Sequence, residues 1–161
     1  GTGFVASTSG NVTLGGTSKP VTTSPTGTFF TSITVPTVPG GDYLVGADIP
    51  SGGSVEASAA FEVVPQITLS PIAGRAGTNV SVSGTGFRER TAGRVFCDVN
   101  RNGRYDDGEP SIGVTTTLYG TFSETLRVPV GTPPGYYDIS ADCPIESSIE
   151  DSETFRVVVG P

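Results

Sequence analysis

The chain carries the same pattern twice. "GTGF" stands at Gly1 to Phe4 and returns at Gly84 to Phe87, and Leu14 answers Cys97, both at an offset of 83. "GTFFTSITVP" from Gly27 answers "GTFSETLRVP" from Gly120 at an offset of 93. "GDYLVGADIP" from Gly41 answers "GYYDISADCP" from Gly135, and "AFEVV" from Ala60 answers "TFRVV" from Thr154, both at 94. A sequence repeated in this way folds as two copies of one supersecondary unit, which rules out most single-core architectures.

The unit is a β unit. With 23 Gly, 13 Pro, no Met and no Trp in 161 residues, there is little room for long helices. Short runs of Val, Ile, Thr, Phe and Tyr are separated by Gly, Pro, Asn and Ser, and no apolar stripe of helical period appears. Strands are expected near 67–70, 79–83, 93–99, 113–118, 121–128, 136–142 and 153–159 in the second copy, and near 10–15, 28–35, 42–49 and 54–63 in the first. The offset rises from 83 to 93 between Cys97 and Gly120, so the second copy holds ten extra residues there. The second copy is also preceded by "PQITLSPIAGRAGTNVSVS", Pro65 to Ser83, which supplies two strands that the first copy lacks. The expected organisation is all-β: an incomplete β domain over 1–64 and a complete β-sandwich over 65–161.

"LSPIAGRAGTNVSVSGTGF", followed by "GTFSETLRVP", "GYYDISA" and "TFRVV", resembles the immunoglobulin-like repeats of prokaryotic extracellular and surface proteins, the broad IPT/TIG-like class. That resemblance implies two-sheet sandwiches of about seven strands. It says much about architecture and little about function.

The repeat aligns Cys97 with Leu14 and Cys143 with Ile49, so each Cys takes a position that is apolar in the sister copy. Two readings follow: a disulfide bridging core strands, which the sequence favours and which implies an oxidising, extracellular setting, or two free buried thiols.

Inside the insertion lies "DVNRNGRYDDGE", Asp98 to Glu109. Asp98, Asn100, Asn102, Asp106 and Glu109 fall at positions 1, 3, 5, 9 and 12 of a twelve-residue loop, with Gly103 at position 6. Calcium takes about six to eight hard oxygen ligands, and this spacing supplies them, with the Arg104 carbonyl completing the set. Pro110 and the strand-like "GRVFC" before Asp98 exclude a helix pair around the loop. "DVNRNGRYDDGEPSIGV" resembles the calcium loops of Cna/SdrD B-type adhesin repeats, which lie between strands. The competing reading is two polar turns, since Asn-Gly and Asp-Gly are hairpin signals in their own right. Magnesium fits less well because it keeps its waters.

No catalytic residues are expected. The chain has no His, which removes Ser-His-Asp, Cys-His and His-zinc arrangements, and its carboxylates sit in a short loop instead of flanking a cleft. Lys19, the only Lys, is expected to be solvated. The net charge of −7 disfavours nucleic acid and anionic lipid, and no run is apolar enough to insert in a membrane. Asn11-Val12-Thr13 and Asn79-Val80-Ser81 are N-glycosylation sequons, and Thr17 to Thr26 reads as an exposed Thr/Ser-rich loop open to O-linked sugars. "ESSIEDSE", Glu146 to Glu153, reads as a solvated acidic loop, and Tyr136 and Tyr137 as one surface and one core ring.

The first copy, short of two strands, has three readings. The chain is an excerpt of a longer array, as the missing initiator Met also suggests; a neighbouring subunit donates a strand, with Pro65 to Ser83 or a terminus as donor; or the first copy is a smaller sheet. The functional expectation is a secreted or cell-surface structural module, in a stalk, surface layer or fibre of like domains. An accessory module of a secreted hydrolase and an adhesive module contacting a surface glycan or protein are the alternatives.

Overall fold

The computed structural model describes residues 1–145 and 148–159. Over the described residues it is all-β, with twelve strands in chain order. They are β1 Ser9–Leu14, β2 Thr17–Thr22, β3 Gly41–Asp48, β4 Ala57–Val63, β5 Gln66–Ser70, β6 Ala73–Gly74, β7 Asn79–Thr85, β8 Ala92–Asp98, β9 Ser111–Thr115, β10 Phe122–Arg127, β11 Gly135–Asp142 and β12 Asp151–Val157. The chain divides into two compact units, one of Gly1–Thr37 with Asp42–Val63, the other of Val38–Gly41 with the chain from Val64 onward.

The second unit is a sandwich of a three-stranded sheet, β10-β7-β5, and a five-stranded sheet, β6-β12-β11-β8-β9. All pairings are antiparallel except β6 with β12. This is the strand order of an immunoglobulin-type sandwich. Alternation drives it: β7 reads "NVSVSGT", and its Val80 and Val82 are fully buried while the residues between them are exposed. They meet Ile67, Phe87, Leu126 and Val128, and from the other sheet Val95, Cys97, Ile139, Phe155 and Val157, in one core. Tyr137 is buried and its hydroxyl donates to the Pro133 carbonyl at 3.0 Å, the tyrosine corner of such sandwiches, while Tyr136 is exposed.

The first unit is a single four-stranded sheet, β2-β1-β3-β4, the counterpart of β9-β8-β11-β12. Val12, Val21, Ala47 and Ile49 form its small core, against which Phe4, Phe29 and Val45 pack. The two units reproduce each other's fine detail. Phe4 and Phe29 stack at 5.3 Å, and Phe87 and Phe122 at 5.2 Å. Buried Thr23 donates to the carbonyls of Val5 and Thr8 and accepts from the Thr8 N–H; Thr116 does the same with Arg88 and Thr91. Ile49 N–H donates to Glu56 Oε2, and Cys143 N–H to Glu150 Oε2.

Two sequence expectations are corrected. Residues 28–35, expected as a strand, carry no strand assignment, because their ladder partner in the other unit is β7 and the first unit has no β7. Part of the expected loop Thr17 to Thr26 is instead the edge strand β2, paired with β1 through the two-residue turn Gly15-Gly16. Both glycines have positive φ, 52° and 83°, the requirement of a type I′ hairpin turn. Lys19 on that edge is exposed, as expected, and its Nζ donates to the Ser32 carbonyl at 2.5 Å. Asn11 is half-buried on β1, and its amide donates to Ser51 Oγ; Asn79 is exposed at the start of β7. Glu146 and Ser147 of the expected acidic loop lie outside the described residues.

The expected disulfide is the third correction. Cys97 and Cys143 are both free and buried. The β8–β11 ladder sets Cys97 opposite Ile139 and Arg94 opposite Asp142, which carries Cys143 on to Gly93. Gly93 is there because a Cβ would meet the Cys143 Sγ at 1.8 Å; Gly10 makes the same room for Ile49 in the first unit. Gly93 and Cys97 are four residues apart on β8, about 13 Å at strand rise, which exceeds the reach of a disulfide. The alignment with Leu14 and Ile49 therefore marks two core positions that never touch.

Burial raises both thiols to about 11, with the charges of Glu109, Asp98 and Asp138 adding to the effect at Cys97 and those of Glu150 and Asp142 at Cys143. Folding thus favours the neutral thiol. That contribution is complete below pH 9, where the unfolded thiol is also neutral, and is lost as pH rises towards about 11. The urea midpoint of the second unit is expected to fall over this window. Cys143→Val, measured at both ends of it, is expected to remove part of the fall.

Candidate metal site

The loop Asp98 to Glu109 closes the β8–β9 hairpin at the place where the first unit has its Gly15-Gly16 turn. Twelve residues stand for two. Below them the hairpin stays closed, since Cys97 N–H donates to the Pro110 carbonyl at 2.9 Å. The two end residues of the loop are buried, Asp98 at 2% exposure and Glu109 at 8%.

Both buried carboxylates fold the loop around themselves. Asp98 accepts the Asn102 N–H on Oδ1 at 3.1 Å and the Gly103 N–H on Oδ2 at 2.7 Å. Gly103 has φ +76°, a left-handed conformation that suits Gly and turns its N–H back to Asp98. Glu109 accepts the N–H of Val99 and Asn100 on Oε1, at 3.0 and 3.4 Å, and that of Asp106 on Oε2 at 3.1 Å. Asn100 Oδ1 accepts from Asn102 N–H and Asn102 Oδ1 from Arg104 N–H, successive Asx turns that wind the chain about one centre. The Asn100 and Asn102 amides both donate to Asp106 Oδ2. Asn100 first, then Asn102, with Arg104 assisting, hold the Asp106 carboxyl below the usual carboxylate range.

Side chains that the sequence did not single out anchor this loop to the sheet. Tyr105 packs edge-on against Phe96 at 5.5 Å and lies 4.2 Å beneath the Arg94 guanidinium, which pairs with Asp142 at 3.2 Å. Arg101 stacks on the ring of Tyr137, 4.5 Å away. Their one sequence signal is that Arg101 and Tyr105 lie within the insertion while Arg94 and Tyr137 lie in strands on either side of it.

The residues expected from the sequence are thus brought together: Asp98, Asn100, Asn102, Asp106 and Glu109 join in one hydrogen-bonded loop, and Arg104, its side chain exposed, stands 3.6 Å from Asp106. The donor set suits a hard cation. Asp98 and Glu109, buried, form no ion pair with a basic side chain among the described residues. Among the described residues Asp106 accepts from two neutral amides and makes one loose, exposed pair of little energetic weight with Arg104. Among the described residues, no group of three or more His, Cys, Asp or Glu stands at metal-binding separation, so the ligand set depends on the two Asn.

No family model matches this chain, and no curated protein matches it in sequence. Among solved structures it is similar to a tetra-tandem repeat from the extending region of a large adhesion protein, at 17% identity over 96% of this chain and 42% of that one, with a TM-score of 0.37. The chain therefore spans less than half the length of that structure. It is also similar to the ectodomain of the teleost fish polymeric Ig receptor, at 17% identity over 93% of this chain and 73% of that one, with a TM-score of 0.35. Among the described residues no helix is long and apolar enough to cross a membrane.

Proposed function

We propose that the chain is a non-catalytic extracellular structural module, a spacer of tandem β units in a stalk, surface layer or fibre, whose second unit is reinforced by one calcium ion. The observation that carries this reading is the pair of buried carboxylates, Asp98 and Glu109, at the two ends of a loop that they organise through backbone N–H groups alone. Asp98, Asp106 and Glu109 would supply carboxylate oxygens, Asn100 and Asn102 amide oxygens, and Arg104 its carbonyl. The ion would add positive charge to a loop whose two end carboxylates, Asp98 and Glu109, are buried, and so tie both ends of the insertion to the hairpin. An extracellular setting supplies calcium at the level such sites need.

Terbium tests the site directly. It takes oxygen ligands as calcium does, and Tyr105 stands within the loop as a sensitiser. Tyrosine-excited terbium emission is expected on titration, displaced by calcium and largely lost in Tyr105→Phe. Absent emission, or emission indifferent to Tyr105→Phe, contradicts the proposal.

A further inference from the structure

Asn102 has the neighbour that lets an Asn side chain react with its own backbone. Attack of a main-chain nitrogen on the side-chain carbonyl of the preceding Asn needs a close approach, and a residue without Cβ permits it best. The chain has four Asn, of which Asn11, Asn79 and Asn100 precede Val12, Val80 and Arg101, whose side chains crowd that approach. Asn102 precedes Gly103, which has φ +76° and nothing within 4 Å of where a Cβ would stand. Asn102 itself is exposed.

Three hydrogen bonds engage the atoms that such a reaction uses. The Gly103 N–H, which would attack, donates to Asp98 Oδ2 at 2.7 Å. Asp98 is 2% exposed, and a buried carboxylate, unlike a backbone carbonyl in its place, is able to take the proton. Asn102 Oδ1, where negative charge develops on attack at Cγ, accepts the Arg104 N–H at 3.0 Å. Asn102 Nδ2, the leaving nitrogen, donates to Asp106 Oδ2, and the Asp106 side chain is 39% exposed, so water reaches this side of the amide. Base and oxyanion donor are both supplied by the loop.

We infer that Asn102-Gly103 is a self-modifying site, at which the loop converts its own Asn102 amide into a carboxylate through a cyclic imide. Gly103 N bonds to Asn102 Cγ while its proton passes to Asp98 Oδ2. The Cγ–Nδ2 bond breaks, and the nitrogen leaves as ammonia with its third hydrogen delivered by water. Asp98 then returns its proton to water, so one C–N bond has formed, one has broken, and no oxidant is consumed. Water opens the imide at either carbonyl, giving Asp or an isoaspartate whose main chain runs through the former side chain. Either product replaces the amide that donates to Asp106 Oδ2 with a second carboxylate, and like charge there loosens the loop. The reaction draws on the loop as it stands and on no ion.

The test holds the full chain in EDTA at neutral pH, which makes its outcome independent of the calcium reading, and follows conversion by peptide mass mapping. Acid in place of amide is expected at Asn102, with isoaspartate as part of the product, while Asn11, Asn79 and Asn100 keep their amides. Conversion is expected to run about tenfold or more faster in the native chain than in the same chain unfolded in urea, because unfolding removes the base and the oxyanion donor. Asp98→Asn is expected to bring the rate down to that of the unfolded chain; the comparison of native and unfolded wild type stands whether or not that variant folds. An Asn102 amide that stays intact, a native rate no faster than the unfolded one, or an Asp98→Asn rate equal to wild type overturns the inference.

Discussion

Phe155→Ala is expected to cost the second unit about 3–5 kcal/mol, the range for emptying a buried aromatic site. The equivalent change in the first unit, Phe61→Ala, is expected to cost no more than about 1 kcal/mol, within the range of partly exposed positions. The two residues are equivalent in the repeat, Phe155 on β12 and Phe61 on the matching strand β4. What differs is the layer above them: Phe155 is fully buried beneath β5, β7 and β10, whereas Phe61 is 37% exposed for want of that layer. The ring of Phe155 therefore leaves a cavity in a packed core, while that of Phe61 gives up contacts to water it already meets. Each unit is to be followed by its own amide signals in urea. Equal costs at the two positions would contradict the half-sandwich description of the first unit.

The repeat made the architecture legible, since offsets alone located the insertion between Cys97 and Gly120 and set Gly1 level with Gly84. It also held a signal that was passed over: Thr23 aligns with Thr116 and Glu56 with Glu150, and these pairs make matching hydrogen bonds. Pairing was not legible. Phe29 to Val35 has the composition of β10 and no ladder, because a strand exists only where a neighbour receives its hydrogen bonds. "TSKPVT" has the composition of a loop, yet the Gly15-Gly16 turn folds it back as β2, where Pro20 is tolerated on an edge. The cysteines show the same limit. Their apolar positions were readable, but the register that separates them by four residues of strand is a property of the ladder.

The loop Asp98 to Glu109 was legible to the extent that spacing fixes it. Positions 1, 3, 5, 9 and 12 are set by chain geometry, and the structure gathers those residues into one hydrogen-bonded loop. The supports were not legible, because Arg101 on Tyr137 and Tyr105 on Phe96 join residues far apart in sequence.

Calcium is expected to stabilise the second unit by about 2.7 kcal/mol at a hundredfold excess over Kd. For a unit of this size that raises Tm on the order of 10–20 °C. Glu109→Gln lowers stability even without calcium, because its new amide faces the Asp106 N–H that Oε2 now accepts. The informative quantity is therefore the difference between calcium and EDTA within each variant. It is expected to be large in the wild type and near zero in Glu109→Gln, with the first unit's transition unmoved in both. The most direct measurement is a calorimetric melt of the chain in EDTA, repeated after excess calcium is added back. A second-unit transition that rises by that amount and reverses on chelation is the result the account predicts; a transition identical in EDTA and calcium would contradict it.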